Sequence, residues 1–135
     1  MNRLLPVILL ALFAQMIFAS HALATPGGTE LTQIANLSAS LDQKYAAGSI
    51  STVEQAELAL QESNEAQLRL QSWYEQSERA CHDTFFVNDC LSDVKQKRRL
   101  YIVALQRISL EAKALQRKLH IEQLDRELAQ RQAKP

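Results

Sequence analysis

The chain has 135 residues, with 15 Lys and Arg balanced by 15 Asp and Glu, and only three glycines, three prolines and two cysteines. So little glycine, proline and aromatic side chain argues against an all-β fold and against a compact α/β enzyme. Gln, Ala, Leu, Glu, Lys and Arg dominate, as they do in long helices.

The first two dozen residues read as an address. Met1-Asn2-Arg3 supplies one positive charge, Leu4 to Phe18 is almost uninterrupted apolar side chain, and Ala22-Leu23-Ala24 offers small residues at the two positions a signal peptidase reads. That tripartite pattern predicts a cleaved secretory signal over residues 1–24. A retained membrane anchor is the competing reading, but the apolar run is about 15 residues against the roughly 20 a spanning helix needs. No cysteine stands at the cleavage site to accept a lipid. The expectation is a periplasmic chain of 111 residues, Thr25 to Pro135, forming one small domain with no membrane anchor after cleavage.

Residues 25–29 read as a flexible leader. From Glu30 to about residue 47, Leu31, Ile34, Leu37, Leu41 and Tyr45 recur at three- and four-residue steps, and Gly48 is placed to stop that first helix. Ser51 followed by Glu54 reads as a capping box for a second helix over about residues 52–80. Its inner stripe is Ala56, Ala59, Leu60, Ser63, Ala66, Leu70, Trp73, Tyr74 and Ser77. Small residues in its first half permit a close neighbour, and aromatics in its second half push that neighbour away.

Cys81 and Cys90 bracket the stretch CHDTFFVNDC. Two cysteines in one short stretch of an exported chain predict a disulfide. A reactive or metal-binding pair would call for the closer C-x-x-C spacing. Closing a loop of about ten residues lowers the entropy of the unfolded chain by roughly 2.5–3 kcal/mol in the chain-entropy model. Asn88 or Asp89 is a candidate cap for a third helix over about residues 90–131, with Asp93 in its first turn and 132–135 as a frayed tail. Such a rod would be roughly 60 Å long and must be packed against something to persist. The fold class predicted is all-α: an antiparallel helical hairpin of long, coiled-coil-like helices with a disulfide-closed tip, plus a shorter N-terminal helix.

The third helix carries two apolar stripes. Tyr101, Leu105, Ile108, Ala112, Leu115 and Leu119 form one; Leu100, Val103, Leu110, Ala114, Ile121, Leu124 and Leu128 lie on nearly the opposite side. One stripe can receive the second helix folding back. The other needs the first helix, in a closed three-helix bundle, or another copy of the chain.

Charge is unevenly divided. Residues 25–90 hold three basic side chains against ten acidic, a net of −7, whereas residues 91–135 hold eleven against five, a net of +6. Folding about the disulfide sets the acidic second helix beside the basic third and brings Glu75 and Glu78 level with Lys95, Lys97, Arg98 and Arg99, which predicts ion pairs between the two. Each exposed pair contributes only tenths of a kcal/mol, so complementarity would set register more than stability. Lys95, Lys97, Arg98 and Arg99 are also a candidate polyanion or anionic-lipid site. With acids opposite, no interleaved aromatics and export from the cytoplasm, nucleic acid is not expected as a partner.

Nothing specifies a reaction. His82 and His120 lie on different segments without a second ligand at metal spacing, and no serine has the glycine-flanked turn of a nucleophile elbow. Asp125 and Glu127, two residues apart, point to different sides of a helix. No phosphate-cradling glycine loop occurs, and no cofactor or metal is expected. The chain reads as a non-enzyme. Phe85, Phe86 and Val87 are a candidate partner-binding knob at the tip; the alternative is that Phe85 and Val87 cover the helix ends near Trp73, Tyr74 and Leu91.

Cys81, Phe85, Val87, Asn88, Cys90 and Leu91, followed by Arg98-Arg99, form a Cys-x3-Phe-x-Val-Asn-x-Cys-Leu motif that resembles a group of small periplasmic helical proteins of Gram-negative bacteria. Tyr45 to Ser51 is similar to the same group, so the likeness covers about half of the mature chain. It implies periplasmic location and helical structure, and brings no catalytic residues. In size and composition the chain is also similar to periplasmic chaperones of the Spy and CpxP type, although Leu31-Thr32 is followed by Ala35 where their Leu-Thr-x-x-Gln motif has Gln. Three functions are therefore in play. The leading one is protein–protein contact, through self-association or docking on an envelope partner; the others are holding of unfolded clients and binding of an anionic surface through residues 95–99.

Overall fold

The computed structural model describes residues 26–133. The expected signal peptide and its cleavage site lie outside the described residues, as does the end of the expected tail. The described chain forms three helices, α1 (Pro26–Lys44), α2 (Val53–Cys81) and α3 (Val87–Gln132), and no strand. α2 and α3 run antiparallel as a hairpin closed at its tip by the Cys81–Cys90 disulfide, with a Cα–Cα distance of 5.5 Å. α1 packs against both of them.

The helix ends differ from expectation in instructive ways. α1 begins at Pro26, so residues 26–29 are helical and not a flexible leader. Proline suits a first helical turn because its φ is preset and its missing N–H has no partner there in any case. The Thr32 hydroxyl also donates to the Gly28 carbonyl at 2.9 Å. α1 ends at Lys44, three residues earlier than expected, and Gly48 takes its left-handed φ of +74° in the following turn. The α2 capping box is shifted by one residue. Thr52 accepts from the Gln55 backbone N–H, and the Gln55 side chain accepts from the Thr52 backbone N–H, with Ser51 adding its own donors. Ser51 and Glu54 are not the pair. α3 starts at Val87 without a side-chain cap, so Asn88 and Asp89 are first-turn residues and Asp93 pairs with Lys97 one turn on.

The core follows the predicted α2 stripe closely: Ala56, Ala59, Ser63, Ala66, Leu70 and Trp73 are buried, with Leu60 and Tyr74 half-buried beside them. From α3 come Val94, Leu105, Ile108 and Ala112, and from α1 Ile34, Leu41 and Tyr45. α1 lies in the groove between the other two helices, parallel to α3. Ser38 donates to the Tyr101 carbonyl at 3.3 Å, Arg107 donates to Asp42 and to the Tyr45 carbonyl, and the Gly48 N–H donates to Glu111. Both short-range partners of α3 therefore sit on one side of it. The closed bundle that would use both stripes does not form, because α1 must cover the small-residue surface of α2 as well, and the outer stripe of α3 faces away from α2.

The hairpin is also stitched by a buried polar chain that the sequence did not announce. The Ser63 hydroxyl donates to the Leu60 carbonyl, so its oxygen accepts from Ser109 at 2.8 Å, and Ser109 accepts from Gln67 at 3.0 Å. Each hydroxyl uses its single proton and leaves no unmet partner in the seam.

Candidate interaction surfaces

The tip is built by the last turn of α2 and the first of α3. Cys81 is fully buried, the Thr84 hydroxyl and backbone N–H both return to its carbonyl, and Cys90 donates its N–H to the Phe86 carbonyl. These bonds turn the chain within five residues and leave no apolar surface nearby for the two phenylalanines. Phe85 is 93% exposed and Phe86 67%, with their rings edge to face at 4.9 Å. Val87 alone is half-buried. Phe85 thus does not cover the helix ends. The pair stands out as an apolar knob.

The basic cluster is dispersed. Successive helical residues point about 100° apart, so four cations in five positions cannot share one face. Lys97 pairs with Asp93 at 2.6 Å, and the Arg98 guanidinium lies over the Tyr74 ring at 5.1 Å. Lys95 and Arg99 are exposed. The expected ion pairs to Glu75 and Glu78 are not made; Glu78 accepts from Tyr74 instead. Among the described residues, every interhelical salt bridge has α1 as one partner: Lys44–Glu62, Arg69–Glu30 and Arg107–Asp42. Ion pairs thus latch the short arm onto the hairpin and do not zip the hairpin itself, and of the three Arg107–Asp42 alone joins the basic part of the chain to the acidic one.

That latch has its own electrostatics. Glu62 accepts from Lys44 at 2.7 Å and from the Tyr45 hydroxyl at 2.8 Å, and the Lys44 ammonium holds its carboxyl below the usual glutamate range. The Gly48 N–H, and after it Arg107, holds Glu111 low in the same way. Burial, followed by the bond to Glu62, pushes the Tyr45 phenol up.

The largest departure from a bland surface is the outer stripe of α3. Leu100 is 71% exposed and Val103 66%, and Leu110, Ile121, Leu124 and Leu128 are exposed with them. The inner stripe, Leu105, Ile108 and Ala112, is fully buried. α2 has 29 residues and α3 has 46. The pairing of Ser63 with Ser109 puts the start of α2 level with about residue 119, so the last turns of α3 project beyond the hairpin, a length on the order of 20 Å. Ile121, Leu124 and Leu128 lie on that projection.

His82 and His120 are exposed on separate elements, and among the described residues no three His, Cys, Asp or Glu side chains group as metal ligands. Among the same residues no helix is long and apolar enough to cross a membrane. Comparison of the chain with protein-family models, with curated proteins and with solved structures finds no match in any of the three. The likeness to small periplasmic proteins rests on the residues of the tip motif, on Arg98-Arg99 and on the stretch from Tyr45 to Ser51.

Proposed function

We propose that this chain is a non-enzymatic exported helical protein that acts by protein–protein contact, with the outer stripe of α3 as the contact surface. One observation carries the reading: six large apolar side chains on one face, Leu100, Val103, Leu110, Ile121, Leu124 and Leu128, are left exposed by the chain's own fold. Exposed apolar surface of that extent on a small chain marks a binding site. The disulfide and the signal-like leader support an oxidising, extracytoplasmic location. The test is photo-crosslinking in the cell of origin, with a photoreactive residue at Val103 or at Leu124 and a control at exposed Gln76. Discrete protein adducts at the two stripe positions and none at the control are expected. A stripe that yields no adduct overturns the reading.

A second reading follows from the exposed Phe85–Phe86 pair, which supports transient holding of unfolded client chains at the tip. Suppression of aggregation of a reduced, unfolded test protein, lost in Phe85→Ser/Phe86→Ser, is its expected signature. Undiminished suppression in that double variant removes the tip from the mechanism.

A further inference from the structure

The outer stripe has a spacing that calls for a partner helix. Leu100, Val103, Arg107, Leu110, Ala114, Arg117, Ile121, Leu124 and Leu128 follow one another at 3-4-3-4-3-4-3-4, seven of the nine being apolar. Steps of three and four sustained over four heptads are the seam of a coiled coil, with Leu100, Arg107, Ala114, Ile121 and Leu128 at a and Val103, Leu110, Arg117 and Leu124 at d. An irregular patch for unfolded clients does not require such a repeat, whereas a partner helix of matching period does.

Resting on the contact reading above, we propose that the occupant is a second copy of this chain, docked through α3 against α3 in antiparallel orientation about a two-fold axis near Ala112. Charge selects both orientation and register. In a parallel pair the flanking positions set Lys113 of each copy against Lys118 of the other, twice by symmetry. Like charges at these sites disfavour that arrangement. In the antiparallel pair, Leu100 faces the partner's Leu124, Val103 the partner's Ile121, and Leu110 the partner's Ala114. The flanks then bring Arg99 to the partner's Glu127 and Lys97, which pairs with Asp93 in its own chain, to the partner's Asp125, each twice by symmetry.

Like-charge contacts in this register fall largely on groups already engaged within the chain. Arg107, which meets the partner's Arg117, is drawn toward α1 and its following turn by Asp42 and the Tyr45 carbonyl, and is paired with Glu111 on its own helix. Glu111, near its own symmetry mate, is held by Arg107 and the Gly48 N–H. Lys113 faces its mate across the axis as the remaining exposed pair. α1 also leaves room: the bonds that it and its following turn make to α3 fall at residues 101–111, so those of the antiparallel partner fall at residues 113–123 and the two sets do not overlap. The projecting end of α3, which finds no cover in its own chain, is covered by the other copy.

The experiment is zero-length carbodiimide cross-linking of an equal mixture of unlabelled and 15N-labelled mature chain, read beside sedimentation over a concentration series. Lys97 and Asp125 lie about 42 Å apart along one helix, so a direct bond between them can form only between chains. Expected are a reversible dimer, a mixed-isotope Lys97–Asp125 cross-link, and at least a tenfold weaker dimer in Arg99→Glu that Arg99→Glu/Glu127→Arg restores. Leu110→Asp should give monomer with unchanged helicity. A monomer at every concentration overturns the proposal, as do interchain cross-links confined to residues of near-equal number. If the photoadduct at Val103 nonetheless forms at a mass other than twice the chain, the contact surface stands and only its occupant is refuted.

Discussion

The two seams of α3 are a controlled comparison within one helix. Both repeat at three and four residues and both are mainly apolar, yet Leu105 and Ile108 are fully buried while Leu100 and Val103 are left mostly in water. Periodicity declares that a face needs a partner and does not name it. What separates the seams is the company each can keep. The inner one meets Ala56, Ala59, Ser63 and Ala66 on α2, whose small side chains allow close approach, and leaves a groove beside it. α1 fills that groove with Ile34, Leu41 and Tyr45 and fastens itself by ion pairs to both neighbours. No segment among the described residues reaches the other side.

The largest expected effect breaks the comparison from its buried side. Leu105→Ala or Ile108→Ala removes a fully enclosed side chain and should cost about 2–5 kcal/mol of folding stability. Leu110→Ala or Val103→Ala on the outer seam should cost less than about 0.5 kcal/mol in dilute protein, where any association is absent. Urea unfolding of the four variants at low concentration checks this. Equal losses on the two sides would mean that the outer seam is covered within the monomer.

A smaller effect probes what aligns the seams. With the disulfide intact, the unfolded chain keeps a short closed loop, and reducing it should lower stability by roughly 2.5–3 kcal/mol. Urea titrations with and without reductant, on the same preparation, measure the difference. Because the hairpin is held along its length by the inner seam and the Ser63–Ser109–Gln67 chain, helicity in the absence of urea should survive reduction. Loss of structure on reduction alone would show that the clasp dictates the pairing instead of reinforcing it.

Much of this architecture was legible because it depends on short-range rules. Three helices, the close-approach stripe of α2, the cysteine clasp and both faces of α3 follow from spacing and composition. The misreadings share a cause, which is dependence on partners that a linear pattern does not order. The cap fell on Thr52 and Gln55 because Gln55 reaches back to the Thr52 and Ser51 N–H groups as well as Glu54 could have done. Glu75 and Glu78 stand level with a basic stretch, yet a level position does not set azimuth, and Arg98 turns its guanidinium onto the Tyr74 ring. Ser109 and Ile102 belonged to neither predicted stripe of α3 but pack on the flank toward α2. A serine directly after Ile108 was the available clue, since a hydroxyl beside a core position needs a polar mate such as Ser63.

The smallest effect sharpens the contrast between the latched arm and the self-sufficient hairpin. Glu62 and Glu111 both titrate below the ordinary glutamate value of 4.5, Glu62 through Lys44 and Glu111 through the Gly48 N–H. A folded-state value lower than the unfolded one means that their contribution is complete above the normal carboxylate range and is lost as pH falls through the folded values. Both groups fasten α1 or its following turn, and no ion pair among the described residues joins α2 to α3 directly. Acid should therefore loosen α1 first, by about 1 kcal/mol or less per exposed pair, while the hairpin stays helical. Hydrogen exchange at Leu41 and Tyr45 should accelerate below pH 4.5 ahead of exchange at Leu70 and Leu105, and Glu62→Gln should flatten part of that dependence. Simultaneous acceleration in all three helices would show that the arm and the hairpin are one cooperative unit, with the ion pairs incidental to how the arm is held.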